Sequence, residues 1–404
     1  DSNVALAHRR LSIIDLDESS NQPMQSSDDQ VIIVFNGEIY NHEDLRKKLE
    51  DKHIFKTKNS DTEVIINAYK EWGIKCLDKF VGMFAFAIYD VKNEKVFLVR
   101  DRLGKKPLYY TVKNNTLYFS SENQAFFDAK LQEKAFNDES IYHYLTYLTT
   151  PAPDTFYKDV YKLEAGYYCE ISIKNKLEKT QYWNISDFIN KENSATAEEA
   201  YLASNKLLED SMYHRNVADV PISIALSGGL DSSLNLFYTK KIRSDKVSTI
   251  NIKFDTSTKG DESHIARKYS EENNVNFIHK VLDETEFTSW IKDYLNISKD
   301  VPAGDPNTAL MFGISRIARE NNYKVLLVGE GGDEIGGYPI YKKLDYLNKI
   351  MKFIPDFLSK WIVNFASWVP HNNLTKKIIR VFSVPTYANR FIFGFTEFEK
   401  RKFW

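Results

Sequence analysis

The stretch SIALSGGLDSS, residues 223–233, decides the fold of the second half of this chain. A short apolar run of strand type turns, at Gly228 and Gly229, into a segment of helical type. Small residues at such a turn let backbone N–H groups approach an anion, and the following helix N-terminus adds positive potential. A Walker phosphate loop would supply a lysine, whereas this stretch has none. Two interpretations remain open: a glycine turn capped by Asp231 and Ser232, or an anion loop in which Asp231 binds Mg²⁺.

A second glycine-rich turn favours the anion loop. The stretch LLVGEGGDEIGGY, residues 326–338, ends another apolar run and carries Glu330, Asp333 and Glu334. If both runs are strands of one parallel sheet, the two turns meet at the carboxyl edge of the sheet, where such sheets bind ligands. Mg²⁺ usually takes one or two carboxylates together with phosphate oxygens. Asp231 and Asp333 are therefore the predicted metal ligands.

The two halves of the chain differ in their pattern. Strand-like runs at residues 30–37, 83–90, 95–101 and 116–122 dominate the first half. Among them, Asp61 is predicted to cap a helix that Gly73 ends, which predicts a layered α+β domain. After a polar stretch at 184–200, apolar runs at 222–226, 247–254, 276–282 and 324–328 alternate with helical segments. That alternation predicts an α/β domain with a parallel sheet.

Composition excludes several classes of function. Lys and Arg (54) nearly balance Asp and Glu (56), so no electrostatic footprint for nucleic acid is expected. Two cysteines cannot build a disulfide framework, which favours a reducing, cytoplasmic setting. The longest apolar stretch, residues 353–369, is interrupted by Asp356 and Lys360, which argues against a membrane span. The chain opens without methionine and closes on FEKRKFW, so we expect a fragment.

The motifs together resemble a known family. SGGLDSS (227–233) followed by GEGGDEIGGY (329–338) resembles the ATP-pyrophosphatase domain of asparagine synthetases, whose loop binds the pyrophosphate that leaves ATP. The first half resembles the class II glutamine amidotransferase domain of the glutamine-hydrolysing members. Its motifs are AHRRLSIIDL (7–16), VFNGEIYNHEDLR (34–46), NSDTEVI (59–65), GMFAFAIYD (82–90) and RDRLGKKPLYY (100–110).

The resemblance implies two domains. It implies an αββα, Ntn-hydrolase-like glutaminase domain over residues 1–185 and a linker over 186–200. An α/β domain of the adenine nucleotide alpha hydrolase type would follow over 201–404. Both domains would lack their outer ends.

The resemblance also implies a glutamine site. Arg10 would bind the glutamine carboxylate, since a guanidinium matches a carboxylate bidentately. The other members of the site would be the backbone of Leu11, Ser12, Ile13 and Ile14, the donors Asn36 and Gly37 of an oxyanion hole, the neighbouring Glu38, and Asp61 as the partner of the substrate ammonium. The family nucleophile is an N-terminal cysteine activated by its own amine, and it would precede Asp1. Cys76 and Cys169 are predicted to be structural.

For the second domain the resemblance implies an ATP site. The pyrophosphate and Mg²⁺ would be bound by Ser227, Gly228, Gly229, Asp231 and Ser232, and adenosine by Ala225, Ile252, Val328 and Gly329. Glu330 would support adenylation and ammonia attack, and Asp333 would complete the metal site. Asp261 and Glu262 are predicted to cap a helix. The family usually has a small polar residue in place of Val328 and glycine in place of Lys253, and it has one more residue in the DEIGGY loop.

The implied function is the synthesis of asparagine from aspartate, ATP and glutamine through β-aspartyl-AMP, with ATP and Mg²⁺ required. The substrates are small molecules, and the resemblance allows a homodimer. Two alternatives remain: amidation of another carboxylate, such as a polysaccharide sugar acid or a natural-product precursor, and a non-catalytic homologue. A sugar-phosphate amidotransferase is disfavoured because it would lack SGGLDSS.

Overall fold

The computed structural model describes residues 4–172, 177–189, 194–245, 247–255, 261–298, 306–337, 339–351 and 353–368, together with residues 375, 378, 382 and 400. Their contacts divide them into two units. The first comprises residues 1–131, 161–300 and 306–329, and the second comprises 132–160, 301–305 and 330–404. The antiparallel sheets and the parallel sheet described below both belong to the first unit.

Antiparallel strands build the first half of the chain. They are β1 (Met24–Gln25), β2 (Val31–Ile39), β3 (Gly82–Asp90), β4 (Lys95–Arg100), β5 (Tyr109–Lys113), β6 (Thr116–Ser120), β7 (Tyr161–Lys162), β8 (Tyr167–Ser172) and β9 (Glu178–Gln181). Within the described residues, one sheet has the order β1-β2-β3-β4-β8-β9 and a second has the order β6-β5-β7. The helices of this half are α1 (His42–Leu49), α2 (Asp61–Trp72), α3 (Gln124–Asp128) and α4 (Asp138–Tyr147).

The larger sheet is buried on both faces. On one face, Ile33 and Phe35 of β2 pack against Val64 and Ile65 of α2. On the other face, residues such as Val34 pack in a cluster with side chains of the smaller sheet. Successive residues of a strand point to opposite faces, so β2 contributes to both cores. Helices on a sheet that lies on a second sheet confirm the predicted layered fold.

Helix α2 begins one residue earlier than predicted, because its N-cap is not Asp61. Ser60 is the N-cap, and Asp61 is the first helical residue. The Asp61 carboxylate instead accepts a hydrogen bond from the backbone N–H of Ile39, 3.1 Å away. The prediction that Asp61 caps the helix is therefore wrong, because a tertiary partner competes for its oxygen. Gly73 ends the helix as predicted, with φ of +58°.

The second half alternates strands and helices. Its elements are α5 (Ala197–Arg215), β10 (Ile222–Ala225), α6 (Leu230–Ile242), β11 (Ser248–Phe254), α7 (Ser263–Glu272), β12 (Asn276–Leu282), α8 (Glu284–Ile297), α9 (Pro306–Glu320), β13 (Val325–Leu327), α10 (Gly332–Gly336), α11 (Pro339–Met351) and α12 (Asp356–Trp368). Strands β12-β11-β10-β13 pair in parallel in that order, which confirms the predicted parallel sheet. Thr196 and Glu199 form a capping box at the start of α5.

The order of this sheet locates its ligand-binding edge. Strand β10 lies between β11 and β13: the chain runs outward from β10 through β11 to β12 and then returns to add β13 on the other side of β10. Open α/β sheets bind ligands at the carboxyl ends of the strands where the order reverses. The glycine-rich stretch after β10 lies at this position.

The loop after β4 is organised by one buried carboxylate. Asp101, only 1% exposed, accepts hydrogen bonds at one oxygen from the N–H groups of Leu103 (3.1 Å) and Lys105 (3.0 Å). Its other oxygen accepts from the N–H groups of Phe84 (3.2 Å) and Lys106 (3.0 Å). Arg100 donates to the carbonyl of Lys106 at 2.8 Å. Together they fix a loop that would otherwise leave buried N–H groups unpaired.

Replacing Asp101 by asparagine tests this arrangement. The amide NH₂ would face two backbone N–H donors in place of an acceptor, so we expect the free energy of unfolding to fall by about 2 kcal/mol. Denaturant unfolding measures the loss. The exposed Asp51 supplies the control, since Asp51→Asn should change stability by less than about 0.5 kcal/mol. Equal stability of the two variants would contradict the role assigned to Asp101.

Candidate functional sites: a polar cavity and a glycine-rich strand end

A cavity of about 460 Å³ opens between the two antiparallel sheets and α2. Its walls come from the loop at residues 7–14, the carboxyl half of β2, the first turn of α2, and segments 85–87, 106–108 and 119–122. Most of these segments are loops or strand ends, which are the usual locations of binding residues. The cavity is therefore the candidate binding site of the first half.

The cavity gathers eight of the nine residues predicted to bind glutamine, all except Ser12. These eight are Arg10, Leu11, Ile13, Ile14, Asn36, Gly37, Glu38 and Asp61. The carbonyl of Ser12 instead accepts a hydrogen bond from Lys324 at 3.3 Å. The eight residues come from three separate segments of the sequence, at residues 10–14, 36–38 and 61, which the fold brings together.

Arg10 is held by the loop that carries it. Its guanidinium donates to the carbonyls of Ile14 (2.9 Å) and Asp17 (3.2 Å), and it also donates to the carbonyl of Asp15. These bonds close the loop on itself and hold the cationic group at the cavity. A preoriented guanidinium loses less freedom when it binds a carboxylate.

Gly37 fixes the spacing of β2 and β3 at the cavity. It pairs with Phe84 across the ladder and has φ of +149°, a conformation that residues with a side chain rarely adopt. A Cβ built on Gly37 would lie 2.1 Å from the carbonyl oxygen of Met83. Glycine is therefore required here, and it places Asn36 and Glu38 at the cavity wall.

Two carboxylates of the cavity have altered acidity. Burial, with the nearby charge of Asp61, raises the pKa of Glu38 to about 7, against a smaller opposing effect of Lys106. Burial also raises the pKa of Asp61, although the N–H of Ile39 and the charges of His42 and Arg10 act in the opposite direction. The cavity is thus a site where buried carboxylates and cations are brought together, as functional sites often are.

Several polar residues of the cavity were not predicted from the sequence. These are His8, Gln22, Thr62, Lys106 and Glu122. Gln22 links two walls, since it accepts from the N–H of Phe35 at 2.6 Å and donates to Thr62 at 3.3 Å. Lys106 lies inside the motif at residues 100–110, so the motif contained a signal for it. Gln22 belongs to none of the quoted motifs, so it had no signal of this kind.

Both cysteines are structural, as predicted. Cys76 lies in the 3₁₀ helix Gly73–Lys79 and Cys169 lies in β8, and the accessible surface of each is 0%. Burial raises the pKa of each thiol to about 12. A thiol that is buried and protonated cannot act as a nucleophile at neutral pH.

The stretch after β10 forms a compact turn of small residues. The N–H of Ser227 donates to the hydroxyl of Ser232 at 3.2 Å, and the N–H of Gly229 donates to the hydroxyl of Ser227, also at 3.2 Å. Gly228 has φ of +100°, and a Cβ there would lie 2.6 Å from the carbonyl oxygen of Glu262. Gly229 is the N-cap of α6 and receives no side-chain cap. No side chain therefore caps α6 at Gly229, whereas the hydroxyl of Ser232 closes the turn, as the interpretation of a capped glycine turn predicts for Ser232.

Gly329, which follows Val328 after the end of β13, lies close to the turn after β10. A Cβ on Gly329 would lie 3.1 Å from Cβ of Asp231 and 3.2 Å from the N–H nitrogen of Ser232. Ala225 ends β10 and Val328 follows β13, so both flank this edge. Ile252 packs partly into the hydrophobic core around Ile250, which leaves its predicted contact with adenosine to the backbone.

Asn251 supports the turn from beneath. Its side-chain amide donates to the carbonyl of Leu226 at 2.7 Å, and its oxygen lies 3.0 Å from Nδ1 of His279.

The two acidic residues before α7 differ in their contacts. Asp261 accepts from the N–H of Ser263 at 3.0 Å and pairs with Lys253 at 2.6 Å. Glu262 is the N-cap of α7 but makes no side-chain cap bond, so the prediction of a capping side chain is wrong for Glu262.

Oxygen ligands for a metal are available only in part. Asp231 lies half-buried in the first turn of α6 and fits as one oxygen donor. Asp333 lies in α10, but its side chain lies outside the described residues, and Glu330 is an exposed residue of the preceding turn. Among the described residues, no group of three or more His, Cys, Asp and Glu side chains is placed to hold a metal. Nor does the described part of the chain contain a helix that is long and apolar enough to cross a membrane.

The same two regions are matched by known protein families. Residues 1–183 match the model of a glutamine amidotransferase domain, and residues 203–390 match that of asparagine synthase. The chain thus combines an amidotransferase domain with an asparagine synthase domain. A Methanocaldococcus jannaschii relative, whose name assigns it to the glutamine-hydrolysing asparagine synthetases, is 33% identical over 87% of this chain and 71% of its own length. The chain belongs to the glutamine-hydrolysing asparagine synthetase family.

Other relatives span more than this chain does. Asparagine synthetase 2 of Bacillus subtilis is 32% identical over 84% of this chain and 47% of its own length. An amidase of Gibberella zeae, chry2, is 31% identical over 84% of this chain and 52% of its own length. The chain therefore spans about half the length of these two relatives, and their names differ in the reaction that they describe.

The raised pKa of Glu38 predicts a pH dependence of stability. A carboxylate that is more basic in the folded than in the unfolded state stabilises the fold at low pH, and this contribution is lost as the pH rises towards 7. Relative to the difference at low pH, Glu38→Gln should therefore gain stability over the wild type between about pH 4.5 and 7, by about 3 kcal/mol at the upper end.

Denaturant unfolding at several pH values measures this difference. Glu50→Gln, at an exposed position that ends α1, is the matched control and should follow the wild type throughout. A difference between Glu38→Gln and the wild type that stays constant with pH would contradict the assignment.

Proposed function

We propose that the chain is part of an enzyme that synthesises asparagine from aspartate, ATP and glutamine. The observation that carries the proposal is the convergence of eight residues expected to bind glutamine on one cavity, in a chain that also carries SGGLDSS at a strand end. The two half-sites supply different chemistry, since one suits an amino acid zwitterion and the other suits an anion. A cytoplasmic location is part of the proposal, and it agrees with two free cysteines.

In the first half-reaction, glutamine binds in the cavity. Arg10 pairs with its carboxylate and Asp61 with its ammonium group. The nucleophile is the N-terminal cysteine expected before Asp1, whose thiolate attacks the side-chain amide carbon. Asn36 and Gly37 donate to the oxygen that becomes negative, and such donors are among the largest contributions to catalysis of acyl transfer. Ammonia leaves, and water then cleaves the thioester to give glutamate.

In the second half-reaction, the acceptor carboxylate becomes reactive. A carboxylate oxygen attacks the α-phosphorus of ATP and pyrophosphate leaves, which gives an acyl adenylate. Ser227, Gly228, Gly229 and Ser232 bind the departing pyrophosphate. Mg²⁺, held by Asp231 and Asp333, would neutralise charge on the phosphates. Ala225, Ile252, Val328 and Gly329 border adenosine, and Glu330 assists while ammonia displaces AMP.

Departures from the family pattern near the glycine-rich turns favour a second candidate for the acceptor carboxylate. Val328 stands where the family usually has a small polar residue, and the loop after Asp333 and Glu334 is one residue short. Lys253 replaces a usual glycine and is engaged by Asp261. A relative from Gibberella zeae is named an amidase. Amidation of another carboxylate, such as a sugar acid or a natural-product precursor, is therefore the competing proposal.

A panel of carboxylates separates the two acceptors. Protein expressed from the complete reading frame is given Mg-ATP, glutamine and either aspartate or one of the alternative acids, and AMP and pyrophosphate are measured. We expect release with aspartate. Release only with another acid would select the competing proposal, and no release with any acid, together with no binding of Mg-ATP, would indicate a non-catalytic homologue.

The Asp231→Ala variant tests the role of the glycine-rich turn. It should lower the rate of pyrophosphate release at least about a hundredfold, because a ligand of the phosphates and metal is lost, a change of about 3 kcal/mol in the barrier. Glutamine hydrolysis in the other half should continue. The exposed Asp210 on α5 supplies the control, and Asp210→Ala should leave both rates unchanged. Normal pyrophosphate release by Asp231→Ala would contradict the role assigned to Asp231.

A further inference from the structure

The loop that carries Arg10 is tied to the asparagine synthase half through Asp219. Asp219 lies in the segment at residues 216–221 that joins α5 to β10. Its backbone N–H donates to the carbonyl of Ile13 at 3.0 Å. Its Oδ2 accepts from the backbone N–H of Asp15 at 2.8 Å, across 204 residues of sequence. Two hydrogen bonds thus connect the cavity loop to the segment that precedes β10, the strand that SGGLDSS follows.

One peptide group lies between Asp219 and Arg10. Its N–H, on Asp15, donates to Asp219, and its carbonyl, on Ile14, accepts from Arg10 at 2.9 Å. A peptide group is planar, so any rotation that breaks the first bond also turns the carbonyl away from the guanidinium. Asp219 is not among the residues that line the cavity. It therefore acts on Arg10 through the backbone of the loop, and its carboxylate does so through this peptide.

The backbone at Asp15 needs such a restraint. Its φ is +51°, in the left-handed region that is disfavoured for residues with a side chain. Asp15 is buried, and its carboxylate accepts a hydrogen bond from the backbone N–H of Asn59 at 2.8 Å. Asn59 lies two residues before Asp61. Asp15 therefore joins the Arg10 side of the cavity to the Asp61 side, and the hydrogen bond from its N–H opposes relaxation of the loop.

The segment that presents Asp219 is itself fixed. Arg243, at the end of α6, donates to the carbonyls of Asn216 (2.8 Å) and Ala218 (3.3 Å) and pairs with Asp245 at 2.6 Å. The segment then continues directly into β10. Asp219 is exposed, so its replacement leaves no cavity in the core.

We propose that Asp219 is a positioning residue for the glutamine site, contributed by the asparagine synthase half. Its carboxylate fixes the peptide group between Ile14 and Asp15, and the carbonyl of that peptide holds the Arg10 guanidinium in position for the substrate carboxylate. The inference rests on the proposed role of the cavity as the glutamine site. It adds a residue from the second half of the chain to a site built by the first.

The test compares Asp219→Ala with Asp219→Asn in protein expressed from the complete reading frame. Arg10 would bind the substrate carboxylate equally in the ground and transition states, so its misplacement should raise KM and leave kcat unchanged. We expect Asp219→Ala to raise the KM for glutamine three- to tenfold, as the loss of one hydrogen bond predicts, with kcat for glutamate release within twofold. Asp219→Asn keeps an acceptor oxygen and should restore most of the affinity.

A second readout separates positioning from a general structural effect. Pyrophosphate release with ammonium chloride in place of glutamine bypasses the cavity, so it should be unchanged in both variants and in the control Asp210→Ala. An unchanged KM for glutamine in Asp219→Ala, with glutaminase activity present, would overturn the inference and leave the proposed function intact. An equal loss of ammonia-dependent activity would also overturn it. Absence of glutamate release by the wild type would overturn the proposed function first.

Discussion

Hydrogen bonds from backbone N–H groups to buried carboxylates fix the irregular segments of the first half, including loops beside the cavity. Asp101 accepts four such bonds, and Glu63 accepts from the N–H groups of Lys56 and Thr57. The carboxylates of Asp61 and Asp15 each bind a loop or strand end in the same way. Irregular segments cannot pair their N–H groups in a ladder, and an ionised acceptor makes the strongest substitute. These irregular segments are therefore held in place by side-chain acceptors, as strands are held by a ladder.

The strand end of the second half uses the opposite arrangement. At the turn after β10, the N–H groups of Ser227 and Gly229 are paired with serine hydroxyls and not with carboxylates. A hydroxyl can rotate and also donate, so it can give up an N–H group to an incoming oxygen at little cost. A carboxylate in the same place would repel a phosphate. The contrast between the two regions follows from what each is proposed to bind.

The sequence predicted the elements and the membership of the cavity better than it predicted contacts. The strands of both halves and their parallel or layered arrangement follow from periodicity, and residues 10–14, 36–38 and 61 were grouped through motifs. The bond between Asp61 and Ile39 spans 22 residues and that between Asp15 and Asp219 spans 204, so no local pattern reveals them. The cap assigned to Asp61 was wrong for this reason. Lys106 was within reach of the motifs, whereas Gln22 was not.

The close passage of β2 and β3 limits how the cavity can change. A Cβ on Gly37 would strike the carbonyl of Met83, and a Cβ on Gly82 would lie 2.2 Å from the carbonyl of Glu38. Each glycine thus makes room for the backbone of the opposite strand. Asn36 and Glu38 flank Gly37 on β2, so a change in the position of either side chain would require β2 and β3 to separate. Divergence of ligand preference in this cavity would have to occur in the loops at residues 7–14, 106–108 and 119–122, which face it from other sides.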